Sequence, residues 1–265
     1  MVGLVPTMGA LHGGHRSLVE HALADGRHVL LTIFVNPLQF DRADDFDRYP
    51  RRLDEDLDTA ADMGVDTVFA PSPPEMFRAE PLTTVSVRGL ATRWEGASRP
   101  GHFDGVATVV AKLFSITGEC TAYFGEKDFQ QLVVVRRMAL DLSMPVDVVA
   151  CATVREPDGL ACSSRNARLD PKERKAAGVL WRALRQGSEA VEAGEHRPEV
   201  VASVMSEVVS SEPLVRLDYA AAVDPATLEV PPTLGLLGGV RLLVAARVGP
   251  VRLIDNVAAK VGHNQ

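Results

Sequence analysis

Two histidines three residues apart, His12 and His15, stand in the run Val5-Pro-Thr-Met-Gly-Ala-Leu-His-Gly-Gly-His15. An apolar strand that runs into a glycine-rich turn and then a helix is a place where phosphate chemistry can be done. Gly9, Gly13 and Gly14 lack a Cβ, so the backbone can bend sharply and approach a phosphate. The N–H groups and positive dipole end of the following helix attract an anion. At i, i+3 the two imidazoles share one helical face. A lone H-x-x-H is more often a tight turn with two surface histidines; the preceding strand and three glycines favour the functional reading here.

Other segments carry side chains of the same use. Asn36 and Gln39 are donor–acceptor groups able to orient a hydroxyl or carboxylate, although Asn-Pro also forms turns unaided. In Gly125-Glu-Lys-Asp-Phe-Gln-Gln131, Lys127 can meet a phosphate or carboxylate as a point charge. Ser163, Ser164 and Arg165 offer two hydroxyls and a guanidinium fork suited to a triphosphate, or equally a helix N-cap. Arg99 and Arg155 are further local cations. The acidic stretch Asp41 to Asp58 reads mainly as a solvated loop and helix face, with Glu55 and Asp56 as candidate carboxylates for Mg²⁺. Cys162 reads as a small buried hydrophobe, because no partner base is evident.

The elements that must position these groups follow from periodicity. Strands are expected at Val2–Val5, Val29–Val35, Thr67–Ala70, Thr121–Phe124 and Val146–Val154. Helices are expected at Ser17–Ala24, Asp54–Met63, Gly105–Thr117 and Asp128–Asp141. This alternation predicts an α/β fold with a Rossmann-like parallel sheet, whose ligands bind outside the carboxyl ends of the strands. After Val154 the pattern changes to helices at about Pro171–Ala193 and Pro198–Ser211, then strands near Val215–Val223, Val240–Val248 and Val251–Ile254. A smaller α+β domain is expected there, giving domains 1–153 and 154–265.

Composition narrows the function classes. The 265 residues carry a formal net charge of −7, with 46% hydrophobic and 24% charged residues. That balance argues against a broad nucleic-acid surface, which relies on clustered Lys and Arg. No apolar run approaches the roughly 18 residues of a membrane span, and no signal peptide is evident. Cys120, Cys151 and Cys162 show neither a disulfide framework nor zinc spacing, which fits a reducing cytoplasm.

Taken together, Pro6 to His15, Ile33-Phe-Val-Asn-Pro-Leu-Gln-Phe40, Arg99-Pro-Gly-His-Phe103, Phe124 to Leu132 and Ser163-Ser-Arg-Asn166 resemble the pantothenate synthetase (pantoate–β-alanine ligase) family of the H-x-x-H nucleotidyltransferases. The resemblance spans nearly the whole chain. It implies a Rossmann-like nucleotidyltransferase domain, a C-terminal lid domain and a homodimer. It also implies ATP, Mg²⁺, (R)-pantoate and β-alanine as the small molecules handled, with a pantoyl adenylate as intermediate. The family pattern puts ATP at Met8, Gly9, Ala10, Leu11, His12, Gly13, Gly14 and His15. Further ATP positions fall at Gly125, Glu126, Lys127, Asp128, Val154, Cys162, Ser163, Ser164 and Arg165. His15 falls at the position of the catalytic proton donor, with His12 beside it and Lys127 among the groups that meet the spreading phosphate charge. Gln39 and Gln131 match the pantoate glutamines, Gln39 also lies near the β-alanine position, and Asn36, Arg99 and His102 accompany them.

The sequence departs from the family pattern in two places. Cys162 replaces a methionine before Ser-Ser-Arg, for which a modest packing effect is expected. The chain also starts almost at the first strand, whereas relatives carry some tens of residues before it, so the start is either truncated or that of a short variant. Rival readings are a cytidylyltransferase-like enzyme, which would need a cytidine nucleotide and ignore β-alanine, and a silent nucleotide-binding protein, which would bind ATP without releasing pyrophosphate. An aminoacyl-tRNA synthetase would need an anticodon or acceptor-binding region, of which the chain shows none.

Overall fold

The computed structural model describes residues 1–40, 46–235 and 239–261. The chain forms two compact units, Met1–Ala152 and Thr153–Gln265.

In the first unit the elements run β1 (Val2–Thr7), α1 (Gly13–Ala24), β2 (His28–Ile33), α2 (Leu53–Asp62), β3 (Thr67–Phe69), α3 (Pro73–Met76), α4 (Glu95–Ser98), α5 (His102–Thr117), β4 (Cys120–Gly125), α6 (Phe129–Asp141) and β5 (Val146–Cys151). The strands form one parallel sheet in the order β3-β2-β1-β4-β5. Leu4 and Val5 of β1, Val29 and Leu31 of β2 and Ala122 and Tyr123 of β4 are fully buried, as strands covered on both faces require. Leu18, Val19 and Ala22 of α1 pack with Val5, Val29 and Leu31 in one apolar cluster. α5 is buried along most of its length, which fits the apolar residues spread around its circumference. The strand order reverses between β1 and β4, so the crevice at their carboxyl ends is the place for a ligand.

The second unit holds α7 (Pro171–Ala177), α8 (Val179–Glu192), α9 (Pro198–Ser210), β6 (Val215–Val223), β7 (Val240–Val248) and β8 (Val251–Ala259). Its sheet is antiparallel, in the order β6-β7-β8. Leu180 and Leu184 of α8 and Val201 and Met205 of α9 bury their apolar stripe against Leu242, Val244 and Ala246 of β7.

Three of the boundaries that differ from the periodicity do so for a clear local reason. α1 begins at Gly13 rather than Ser17, because the His12 side chain caps it. The helix expected over Pro171–Ala193 is interrupted at Gly178, whose N–H bonds back to Ala176 instead of continuing the ladder. β8 continues five residues past Ile254: Asp255 and Asn256, polar in sequence, are buried against Arg155 and Arg241 and stay in the strand.

Candidate active site

The turn after β1 is shaped by its own hydrogen bonds. Gly9 (φ +80°) and Ala10 (φ +51°) are successive left-handed residues, and they make the bend; Gly13 and Gly14 lie in the first turn of α1. The Gly9 N–H donates to Thr7 Oγ1 at 3.1 Å, and Thr7 Oγ1 donates to the Thr32 carbonyl at 2.7 Å. The Ala10 and Leu11 N–H groups donate to Asp56 Oδ2 and Oδ1 at 2.9 and 2.8 Å. Hence most of the N–H groups expected to cradle a phosphate already have partners within the protein.

His12 and His15 form a reciprocal cap at the start of α1. The Gly14 N–H donates to His12 Nδ1 at 3.1 Å, and the His12 N–H donates to His15 Nδ1 at 3.3 Å. Because both Nδ1 atoms accept, the proton of each neutral ring sits on Nε2, at the far side of the imidazole. Burial and the neighbouring His12 push His15 down to about 3. Burial and the Lys127 ammonium lower His12 as well. Both rings are therefore neutral near pH 7 and act as hydrogen-bond donors through Nε2–H.

Lys127 and Asp128 come from the turn after β4. Lys127 Nζ lies 3.2 Å from Asp128 Oδ1, and the two charges act in opposite directions on both histidines. The strand order thus brings the β1 and β4 turns together at the reversal point.

The turn after β2 holds a second polar group. Asn36 accepts from the Leu38 N–H and donates to Gln39 Oε1 and to the Gly105 carbonyl, both at 3.0 Å. Gln39 Nε2 reaches Met8 Sδ at 2.9 Å. The Gln39 carbonyl accepts from His102 Nδ1 at 2.7 Å and from Arg99 Nη2 at 3.1 Å, while His102 Nε2 lies 3.2 Å from Arg99 Nη1. His102 is pushed down to about 4 by burial and by Arg99, so it is a neutral Nδ1–H tautomer. Met8, Asn36, Gln39, Arg99 and His102 accordingly form one connected cluster. Gln131 is half-buried near the start of α6.

In the second unit, Val154 and Cys162 pair across a tight hairpin, the Cys162 N–H donating to the Val154 carbonyl at 2.9 Å. Ser163 Oγ accepts from the Arg165 N–H and caps the 3₁₀ turn Ser164–Arg168. Asn166 braces this turn through Glu156 Oε1 and the Ala161 carbonyl, and Arg174 holds Glu156 from behind at 2.6 Å. Arg155, read from sequence as a cation for substrate, stacks on Trp181 and pairs with the buried Asp255.

Asp56 and Glu55, the candidate Mg²⁺ carboxylates, have partners within the protein. Both oxygens of Asp56 accept backbone N–H bonds, and Glu55 is exposed beside Arg52. Among the described residues no three His, Cys, Asp or Glu side chains are placed to hold a metal ion; residues 41–45 of the acidic stretch lie outside the described residues. Sequence reasoning also missed Gln130, which is 5% exposed and binds the Glu95 N–H and the Leu90 and Arg93 carbonyls. Adjacent glutamines at 130 and 131 were the available signal.

Comparison with known proteins decides what this arrangement belongs to. A family model described as pantoate-beta-alanine ligase matches residues 1–258. The chain belongs to the pantoate–β-alanine ligase family. It is a ligase of that family. A pantothenate synthetase from Rubrobacter xylanophilus is 51% identical to it over 97% of this chain and 91% of its own length. One from Moorella thermoacetica is 49% identical, over 98% and 91%. The crystal structure of pantothenate synthetase from Thermus thermophilus superposes with a TM-score of 0.92 at 49% identity, covering 97% of this chain and 92% of that one. Pantoate-beta-alanine ligase from Francisella tularensis, complexed with beta-gamma ATP and beta-alanine, gives 0.79 at 33% identity over 97% and 88%.

Proposed function

We propose that this ligase makes pantothenate in two steps. In the first, a carboxylate oxygen of (R)-pantoate attacks the α-phosphorus of ATP, forming the P–O bond of pantoyl adenylate and breaking the bond to pyrophosphate. In the second, the amine of β-alanine attacks the activated acyl carbon; a C–N bond forms, AMP leaves and the amine gives up a proton. The observation that carries this reading is the convergence, at the carboxyl ends of β1, β2 and β4, of two Nε2–H imidazoles, the Lys127 ammonium and the Gln39 cluster. Donors and a cation fixed in place before charge spreads on the phosphate are what lowers such a barrier.

In this reading His12, His15 and Lys127 face the phosphates. Gln39 and Gln131 hold pantoate, and Asn36, Arg99 and His102 fix Gln39. Gly125 to Asp128, Val154 and Cys162 to Arg165 complete the nucleotide contacts. Mg²⁺ enters as the counter-ion of ATP, an ion that takes much of its shell from water and phosphate. A cytoplasmic homodimer belongs to the same proposal; among the described residues no helix is long and apolar enough to cross a membrane.

The test is pyrophosphate release from ATP and Mg²⁺ with pantoate, with and without β-alanine. Pantoate-dependent release, with sustained turnover and pantothenate only when β-alanine is present, is expected. Release with β-alanine but without pantoate, or no release by folded protein, would remove the proposal.

A further inference from the structure

Asp56 is the one acid in the first turn of α2 that faces inward: it is 4% exposed, whereas Asp54 and Glu55 face solvent. Each carboxylate oxygen takes one of two successive backbone N–H groups, Ala10 at 2.9 Å and Leu11 at 2.8 Å. Those N–H groups follow two left-handed residues, Gly9 and Ala10, and consecutive amides in such a bend form an anion-attracting concavity. A Cβ at Gly9 would lie 2.6 Å from Asp56 Oδ2, so loop and carboxylate fit each other closely. Ala10, unlike Gly9, carries a side chain that disfavours positive φ, and the bonds to Asp56 offset that strain. The next residues are Leu11 and the cap His12, whose ring lies tilted with its centroid 4.1 Å from that of His15.

We infer that Asp56 is a positioning residue of the nucleotide loop: its carboxylate acts as an internal anion that fills the concavity at Ala10 and Leu11 and thereby aims His12 and His15. This inference rests on the proposed phosphate-facing role of those histidines. It assigns Asp56 to the loop rather than to a metal ion. A bound phosphate meets the imidazoles and Lys127, because the concavity already holds a negative group. Replacing the carboxylate by an amide turns an NH₂ toward one of the two N–H groups, so the loop must shift. A shift of about 1 Å at a reacting group costs on the order of 100-fold in rate.

The experiment combines amide hydrogen exchange of the wild-type chain, Asp56→Asn and the double variant Asp56→Asn/Ala10→Gly with pantoate-dependent pyrophosphate release at low and saturating Mg²⁺. In wild type the Ala10 and Leu11 amides should be protected well above an open loop. Asp56→Asn should lose at least about tenfold of that protection while the β1 and β4 amides keep theirs. Its kcat should fall about ten- to a hundredfold at both Mg²⁺ levels. Glycine at position 10 accepts the left-handed bend without strain, so the double variant should recover about fivefold. Unprotected Ala10 and Leu11 amides in wild type would overturn the inference whether or not the variants fold. So would a rate of Asp56→Asn within twofold of wild type, its full recovery by Mg²⁺ alone, or no recovery by the double variant. Absence of pyrophosphate release by wild type would count against the proposed function, while the exchange data would still judge Asp56.

Discussion

At the scale of single residues, the histidine pair determines what the site can do. A proton donor at neutral pH needs a pKa near 7, and His15 lies at about 3 in the free protein. With its Nδ1 accepting from the His12 N–H, His15 in the proposed mechanism is a neutral donor that stabilises charge. The kcat/KM for adenylation, which reports the free enzyme, should show no inflection from His15 between pH 6 and 8. His15→Ala should lower the adenylation rate about a hundredfold, as loss of one fixed donor does, and His15→Gln should retain more because its amide also donates. Rate measurements across that pH range check both points. An inflection near pH 6.5 abolished by His15→Ala would support a proton-donor role instead. From sequence, the two histidines and their glycines were legible as a candidate phosphate site. Their tautomers were not, because a tautomer depends on which backbone N–H each ring meets.

At the scale of elements, the Gln39 turn depends on α5 approaching it without a side chain. A Cβ at Gly105 would stand 2.1 Å from the Leu38 carbonyl oxygen and 2.7 Å from the Gln39 nitrogen, and the Gly105 carbonyl accepts from Asn36. Gly105→Ala should push the turn away, raise the KM for pantoate about tenfold or more and cost about 1–3 kcal/mol of stability, the range for overpacking. Steady-state kinetics and thermal melting read these outcomes; an unchanged KM would detach the turn from substrate binding. Asn36, Gln39, Arg99 and His102 stood out in sequence as separate polar motifs. Their joining through the side chain and carbonyl of Gln39 required the packing of α5 on the β2 turn. β8 was underestimated for a related reason, since its two polar residues meet Arg155 and Arg241, partners far away in sequence.

For the whole molecule, buried neutral histidines link stability to pH. His15 at about 3 and His102 at about 4 lie below the unfolded value near 6.5. Between pH 6.5 and 4 the unfolded chain therefore binds protons that the folded chain does not, and stability falls as pH falls. Each group contributes up to about 1.4 kcal/mol per pH unit over that window. Urea unfolding at pH 7 and pH 5 should show the lower midpoint at pH 5, and His102→Gln should reduce the difference; equal midpoints would contradict the burial of the two rings. The sequence by itself determined the alternation of strands and helices, the change of pattern after β5 and the turns that carry chemistry, because hydrophobic period and turn composition are local properties. Only the tertiary structure decided that Asp56 bonds the turn after β1, that Arg155 pairs within the second unit and that the β1 and β4 turns meet. Those outcomes depend on which distant group satisfies a buried charge or N–H, and chain order does not encode that spacing locally.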